Sequence, residues 1–156
     1  MRPHPLYVVL DNVRSAFNVG SIFRTCDAAG VTEICLCGLT AWPPHAKLEK
    51  TSLGAHEHVP WRRFETALEA IADLRARSIP VIGLETGPKA SSIVGFRWPQ
   101  PVAVVFGHEV VGLLDEVRDA CDELRSIPMF GFKSSLNVAT AFGIVAYDVL
   151  GSWRVS

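Results

Sequence analysis

No stretch of this 156-residue sequence is long and apolar enough to span a membrane, because its apolar runs are short and broken by proline, glycine or charge. The first residues, MRPHPLYVVL, lack the extended apolar core of a secretory signal, and a cytoplasmic protein is expected. Neither sign of charge is in excess. With 15 Lys and Arg against 16 Asp and Glu, the net charge is −1, so bulk charge gives no argument for a polyanionic partner. Internal repeats, low-complexity tracts and linker-like stretches are all missing, and residues 1–156 are expected to form one domain. Cysteine is sparse: Cys26, Cys35, Cys37 and Cys121 sit inside apolar periodic segments, as buried reduced thiols do. Cys35-x-Cys37 together with His56-x-His58 lacks the usual zinc spacing, so no metal site is expected.

What is present is a core. The hydrophobic content is 49% and the mean hydropathy +0.24, enough to bury much of a chain this size. Apolar runs at Leu6–Leu10, Val31–Cys37, Pro80–Leu84 and Val102–Phe106 read as strands. Between them, Val19, Ile22, Phe23 and Cys26 recur at helical spacing from about Asn18 to a stop at Gly30. A short helical or irregular segment covers Leu48–Leu53 after the Pro43-Pro44 loop. Thr66-x-x-Glu69 is a capping box for a helix using Leu68, Ile71 and Leu74, and a further helix is expected near Leu113–Leu124. Strands alternating with helices predict an α/β fold with a mostly parallel sheet flanked by helices, its ligand site outside the carboxyl ends of the strands.

The stretch from Ile127 to Asp148, IPMFGFKSSLNVATAFGIVAYD, predicts a short strand, a polar turn ending on Asn137, and a helix apolar around most of its circumference. Such a helix needs burial on several sides, in a large core or against a second chain. Its N-terminus offers backbone N–H groups to whatever fills the turn. Two more polar turns stand at strand ends: the segment Asn12–Thr25, which places Asn18, Ser21 and Thr25 on one stripe with Arg24 beside it, and FGHEVVGL, residues 106–113. Cations also gather in or beside such turns, at Arg14, Arg24, Lys47, Lys50, Arg62, Arg63 and Lys133. For Arg62 and Arg63 an ordinary solvated face explains the charge equally well.

Taken in order, NVGSIFRTCDAAGV, FGHEVVGL and IPMFGFKSSLNVATA closely resemble the three signature motifs of the SpoU (TrmH-type) RNA ribose 2′-O-methyltransferases of the SPOUT superfamily. The resemblance runs from Leu10 to about Leu150. It implies a C-terminal deep trefoil knot, S-adenosylmethionine bound in that knot, and a homodimer that completes the active site. Carried over by motif, the catalytic positions are Arg24, Asn18, Glu109 and Asn137. The cofactor would lie against Leu84, Glu85, Gly107, Ile127, Met129, Ser135 and Leu136, largely through backbone atoms. Val110 stands where many members have glycine, and Ala139 where many have serine.

The reaction implied moves a sulfonium methyl to a ribose 2′-hydroxyl, so the protein must align the reactants and raise the nucleophilicity of a weak acid. A guanidinium is a poor base, which favours Arg24 as a contact that stabilises developing alkoxide. Glu109 is either the other catalytic group or an acid that orients Arg24 or Asn137. RNA contacts are expected from Arg14, Lys50, Arg62, Arg63 and Lys133. No additional RNA-binding domain is visible before Leu6 or after Leu150, which favours an accessible tRNA loop over ribosomal RNA, the runner-up. A non-catalytic RNA-binding relative and a flavodoxin-like nucleotide binder are the competing classes. The first is opposed by the intact Arg24, Glu109 and Asn137, the second by the apolar helix after a Ser-Ser-Leu-Asn turn.

Overall fold

Leu6, Val8, Val9 and Leu10 are completely buried, which a strand achieves only when both faces of its sheet are covered. The computed structural model, which describes residues 2–155, places them in β1 (His4–Asp11). This strand is flanked by β2 (Val31–Cys37) and by β6 (Val102–Phe106), both parallel to it. The full sheet has seven strands in the order β3-β2-β1-β6-β4-β7-β5, with β3 at Trp61–Phe64, β4 at Val81–Leu84, β5 at Ser91–Ser92 and β7 at Glu123–Ser126. Every pairing is parallel.

The period-two alternation of β1 divides the core. Leu6, Val8 and Leu10 face the layer made by α1 (Ala16–Ala29), α2 (Ala46–Ser52) and α5 (Val138–Ser152). Val9 faces the layer of α3 (Ala67–Ala76) and α4 (Asp115–Ala120). In α5, Phe142, Val145, Ala146 and Val149 are fully buried, and the Phe142 ring meets Phe106 edge-on with centroids 5.8 Å apart. Helix α5 packs on α1, so the N-termini of both lie on the side of the sheet where β6 ends.

Local signals set the helix limits. Ser15 caps α1 by accepting from Asn18 N at 3.2 Å, and Gly30 ends it in the left-handed region at φ 69. Thr66 accepts from Glu69 N, as the capping box requires of the N-cap residue.

The structure departs from the sequence expectation after Leu113. Helix α4 covers only Asp115–Ala120, and the chain then turns into β7. The cause is tertiary pairing: Asp122 N donates to Val81 O, and the Asp122 carboxylate accepts from Val81 N, both at 2.8 Å. These bonds draw residues 122–126 onto the edge of β4, against their helical periodicity. The strand expected from Ile127 therefore ends at Ser126, and residues 127–136 are irregular. Strand β3 was not foreseen. Two adjacent arginines interrupt its pattern, and it forms as an edge strand on β2.

Candidate functional site

At the carboxyl ends of β4 and β6 the sheet opens into a cavity of about 440 Å³. That falls in the size range of small-molecule sites, roughly 300–1,000 Å³. Leu84, Glu85, Gly107, Ile127, Met129, Ser135 and Leu136, the seven positions singled out from the sequence, all lie on its wall. His108, Glu109, Ser134, Val138 and Ala141 line it too.

One wall is the turn after β6. His108 N donates to Gly112 O at 3.2 Å, and Gly112 N returns the bond to His108 O at 2.9 Å. A Cβ on Gly107 would come within 2.6 Å of the Gly112 carbonyl oxygen, so the turn closes this tightly only around glycine. Inside it, His108 Nδ1 accepts from Val110 N at 3.0 Å and Val111 N at 3.2 Å. Glu85 braces the turn from β4, accepting from Leu113 N at 3.3 Å and from Arg118 Nη1 at 3.2 Å.

The opposite wall is the segment between β7 and α5. Among the described residues, no protein group pairs with the backbone of residues 127–136. Its amides are therefore free to meet the polar edges of a ligand, which suits a cofactor with a heterocyclic base. Asn137 ends the segment as the N-cap of α5, its Oδ1 accepting from Ala139 N at 2.9 Å and Thr140 N at 3.2 Å. Ala139 contributes its backbone N–H here.

Glu109 joins the two sides to α1. Its carboxylate accepts from Arg14 N at 3.0 Å and Ser15 N at 3.1 Å, satisfying donors at the helix entry. Burial alone would raise its pKa. The N–H groups of Arg14, of Glu109 itself and of Ser15, with the Asn18 side chain, outweigh burial and hold the carboxyl below the usual glutamate range. Asn18 in turn accepts from Asn137 Nδ2 at 3.1 Å. Asn137 is thus bonded directly to Asn18, and Glu109 is connected to Asn18 through Ser15, whose Oγ accepts from Asn18 N. Arg24 is exposed on α1, six residues beyond Asn18, and its side chain forms no hydrogen bond or ion pair among the described residues.

The cations expected to contact RNA separate into two sets. Arg14, Lys50 and Lys133 are exposed. Arg62 and Arg63 are not brought to the cavity: they sit on β3, at the far edge of the sheet from β4. Arg62 is paired with Asp73 at 2.9 Å and Glu33 at 3.8 Å. The Arg63 guanidinium lies 4.6 Å from the Trp42 ring centroid and donates to Gly38 O at 2.9 Å. Within the single chain, Arg62 and Arg63 thus stand apart from the cavity.

Cys35 and Cys37 are buried free thiols on β2, the first pushed up to about 12 and the second further, mainly by burial. His56 is engaged by Ser52 Oγ at 2.6 Å. Among the described residues no cluster of three or more His, Cys, Asp and Glu side chains could hold a metal, and no helix is long and apolar enough to cross a membrane.

Ser15, the braced turn and the role of His108 were missed from the sequence. Ser15 carried a legible signal, a serine three residues before Asn18 at the start of an apolar period. His108 carried none, because its importance depends on a turn folding back onto its ring.

The sequence model of the SpoU rRNA Methylase family matches residues 5–147. A 23S rRNA (guanosine-2′-O-)-methyltransferase RlmB from Vibrio parahaemolyticus is 35% identical over 94% of this chain and 59% of its own length. The RlmB of Haemophilus influenzae is 33% identical over 96% of this chain and 61% of its own. The chain thus spans about three fifths of the length of these curated relatives. Among solved structures, the SpoU methyltransferase AviRb from Streptomyces viridochromogenes in complex with AdoMet superimposes with a TM-score of 0.89 at 29% identity, over 100% of this chain and 63% of that one. A structure described as giving insights into the 2-OH methylation of C/U34 on tRNA has a TM-score of 0.83 at 29% identity and matches 99% of both chains.

Proposed function

The chain belongs to the SpoU methylase family, and on that premise we propose that it is an S-adenosylmethionine-dependent RNA methyltransferase of the cytoplasm, acting on a ribose 2′-hydroxyl, with tRNA as the favoured substrate. The observation that carries the reading is the coincidence of all seven cofactor positions on one cavity, beside the connected group Asn18, Glu109 and Asn137.

S-adenosylmethionine supplies an activated methyl on a sulfonium that is already a good leaving group, so no metal or acyl intermediate is needed. Leu84, Gly107, Ile127, Met129 and Leu136 would hold it, through apolar contact and the unpaired backbone of the 127–136 segment. Asn137 and Asn18 fix α5 and α1 at the mouth of the cavity. Glu109 acts as a positioning residue, since its oxygens are committed to the entry of α1. Arg24 contacts the ribose hydroxyl and a neighbouring phosphate, stabilising negative charge as it develops on oxygen. The deep trefoil knot and the homodimer are part of the same reading. Support for the first is the likeness of fold to AviRb, and for the second the half-exposed Ile144 and Tyr147 on α5 with Phe17 on α1.

Between substrates, tRNA is favoured by the match, over 99% of both chains, to the protein studied for C/U34 methylation. Ribosomal RNA is the second reading, favoured by identity to the RlmB proteins, which are longer than this chain. The test is transfer of labelled methyl from S-adenosylmethionine to purified tRNA and to 23S rRNA, followed by mapping of the methylated riboses. Label in tRNA riboses is expected. Label confined to 23S rRNA selects the second reading, and label in neither overturns the activity.

A further inference from the structure

We propose that the crevice between the end of β1 and the layer of α3 and α4 is a binding site for a primary alkylammonium group, of the kind that ends a linear polyamine, with Asp11 as its floor. Asp11 is the last residue of β1, and the alternation of the strand turns it, like Val9, toward α3 and α4. It is only 5% exposed, yet its carboxylate has no hydrogen bond or ion pair among the described residues. Burial and the carboxylate of Glu116 on α4 raise its pKa above the usual aspartate range, and no cation offsets them. A carboxylate held this way costs free energy, which a ligand with its own positive charge and donors would recover.

Asp11 belongs to the wall of a pocket of about 130 Å³ at the carboxyl ends of β1 and β2, together with Glu65, Glu116, Leu68 and Leu114. A Cβ on Gly38, another wall residue, would come 3.3 Å from Asp11 Oδ1, which puts that oxygen against the pocket. No lysine or arginine lines it. The N-terminus of α3 brings roughly half a positive charge, too little to balance three carboxylates, so the pocket selects a cation. Among the described residues no three His, Cys, Asp or Glu side chains are placed to hold a metal, which leaves an organic cation. Leu68 and Leu114, 41% and 45% exposed, offer apolar surface to methylenes while an ammonium donates to Asp11 and Glu116. A water takes about 30 Å³, so there is room for the ammonium and a short run of its chain. Strand β1 adjoins β6, and the pocket therefore opens on the edge of the sheet that carries the cofactor cavity. RNA phosphates bring condensed counterions to that edge, which favours a polyamine over a protein lysine. The choice of polyamine rests on the RNA reading above, and the ammonium site does not.

Calorimetric titration of the whole chain with spermidine at low ionic strength, without cofactor or RNA, tests the site. A single spermidine should bind per chain. Asp11→Asn and Glu116→Gln should each weaken it by at least about tenfold, the loss of one charge-assisted hydrogen bond. Glu116 is exposed, so its variant keeps the fold whatever becomes of Asp11→Asn. Carboxyl-carbon NMR should show the pKa of Asp11 falling when spermidine binds, a response that a purely structural acid would not give. Nα-acetyl-lysine methylamide and Mg²⁺ serve as competing probes. Tighter binding of the lysine amide would put a protein side chain in the pocket and overturn the polyamine, and displacement of spermidine by an equal concentration of Mg²⁺ would overturn the ammonium. No binding, several equivalent spermidines per chain, or affinity unchanged in both variants overturns the site itself. Failure of the chain to methylate any RNA would count against the RNA reading alone, because the titration contains none.

Discussion

Asn137 Nδ2 donates to Asn18 Oδ1 at 3.1 Å, across 119 residues of sequence. Neither orientation of the Asn137 amide is free. Its oxygen is committed to two N–H groups at the start of α5, which leaves its nitrogen to donate. The N-terminus of α5 is thereby joined to the first turn of α1 through a single pair of side chains.

Replacing Asn137 by alanine removes both the cap and the bridge, and should cost about 0.5–2 kcal/mol of stability in chemical denaturation. Asn137→Ser keeps a capping oxygen without the bridge. It should recover most of the stability, while methyl transfer stays low. Full transfer by the serine variant would show that the link to Asn18 is dispensable.

Arg24→Ala should abolish transfer while calorimetric affinity for S-adenosylmethionine stays near that of the wild type, since Arg24 lies on α1 and does not line the cavity. Parallel loss of binding and activity would assign it to the cofactor pocket or to the fold.

Light scattering should report about twice the 17.0 kDa chain mass. Ile144 and Tyr147 are 41% and 52% exposed on α5, opposite the buried Phe142, Val145 and Val149, so Tyr147→Asp should yield monomers without transfer activity. A fully active monomer would refute the shared site.

Lys133→Ala and Lys50→Ala should each weaken tRNA binding and lower the logarithmic salt slope by roughly 0.7 to 0.9 for every phosphate that is no longer neutralised. Arg62→Ala should leave the slope unchanged, because Arg62 is already paired with Asp73 and Glu33. A slope that drops in Arg62→Ala would return β3 to the RNA surface.

Glu109 has its carboxyl lowered by the bonds it accepts, so its contribution to stability is present above the ordinary glutamate value of about 4.3 and is lost as pH falls through the lowered one. Glu109→Gln should melt below the wild type at neutral pH, and the two should converge in acid. A constant difference across the titration would show that the charge is irrelevant to the cap.

Strands β1 and β6 were legible because burial on both faces gives nearly continuous apolar runs, and α1 and α3 because Gly30 and Thr66 mark their ends. The boundary between α4 and β7 was not, since Asp122 obeys its partner Val81 and not its neighbours in sequence. Strand β3 escaped for a related reason. Its two arginines look like solvated surface until Asp73, Glu33 and Trp42 are brought against them. Of the site, the motifs were legible as a resemblance, whereas the separation of Arg62 and Arg63 from the cavity required the strand order.

The placement of β6 beside β1 has a consequence for synthesis. Leu6 pairs with Val102, so the apolar strand β1 lacks one neighbour until some 96 further residues have been made. At translation rates of roughly 5–20 residues per second, that interval lasts about 5 to 20 s. Throughout it, the nascent chain presents an open, hydrophobic strand edge of the kind that recruits foreign strands. Until the later strand arrives, solubility depends on whatever covers that edge in its place.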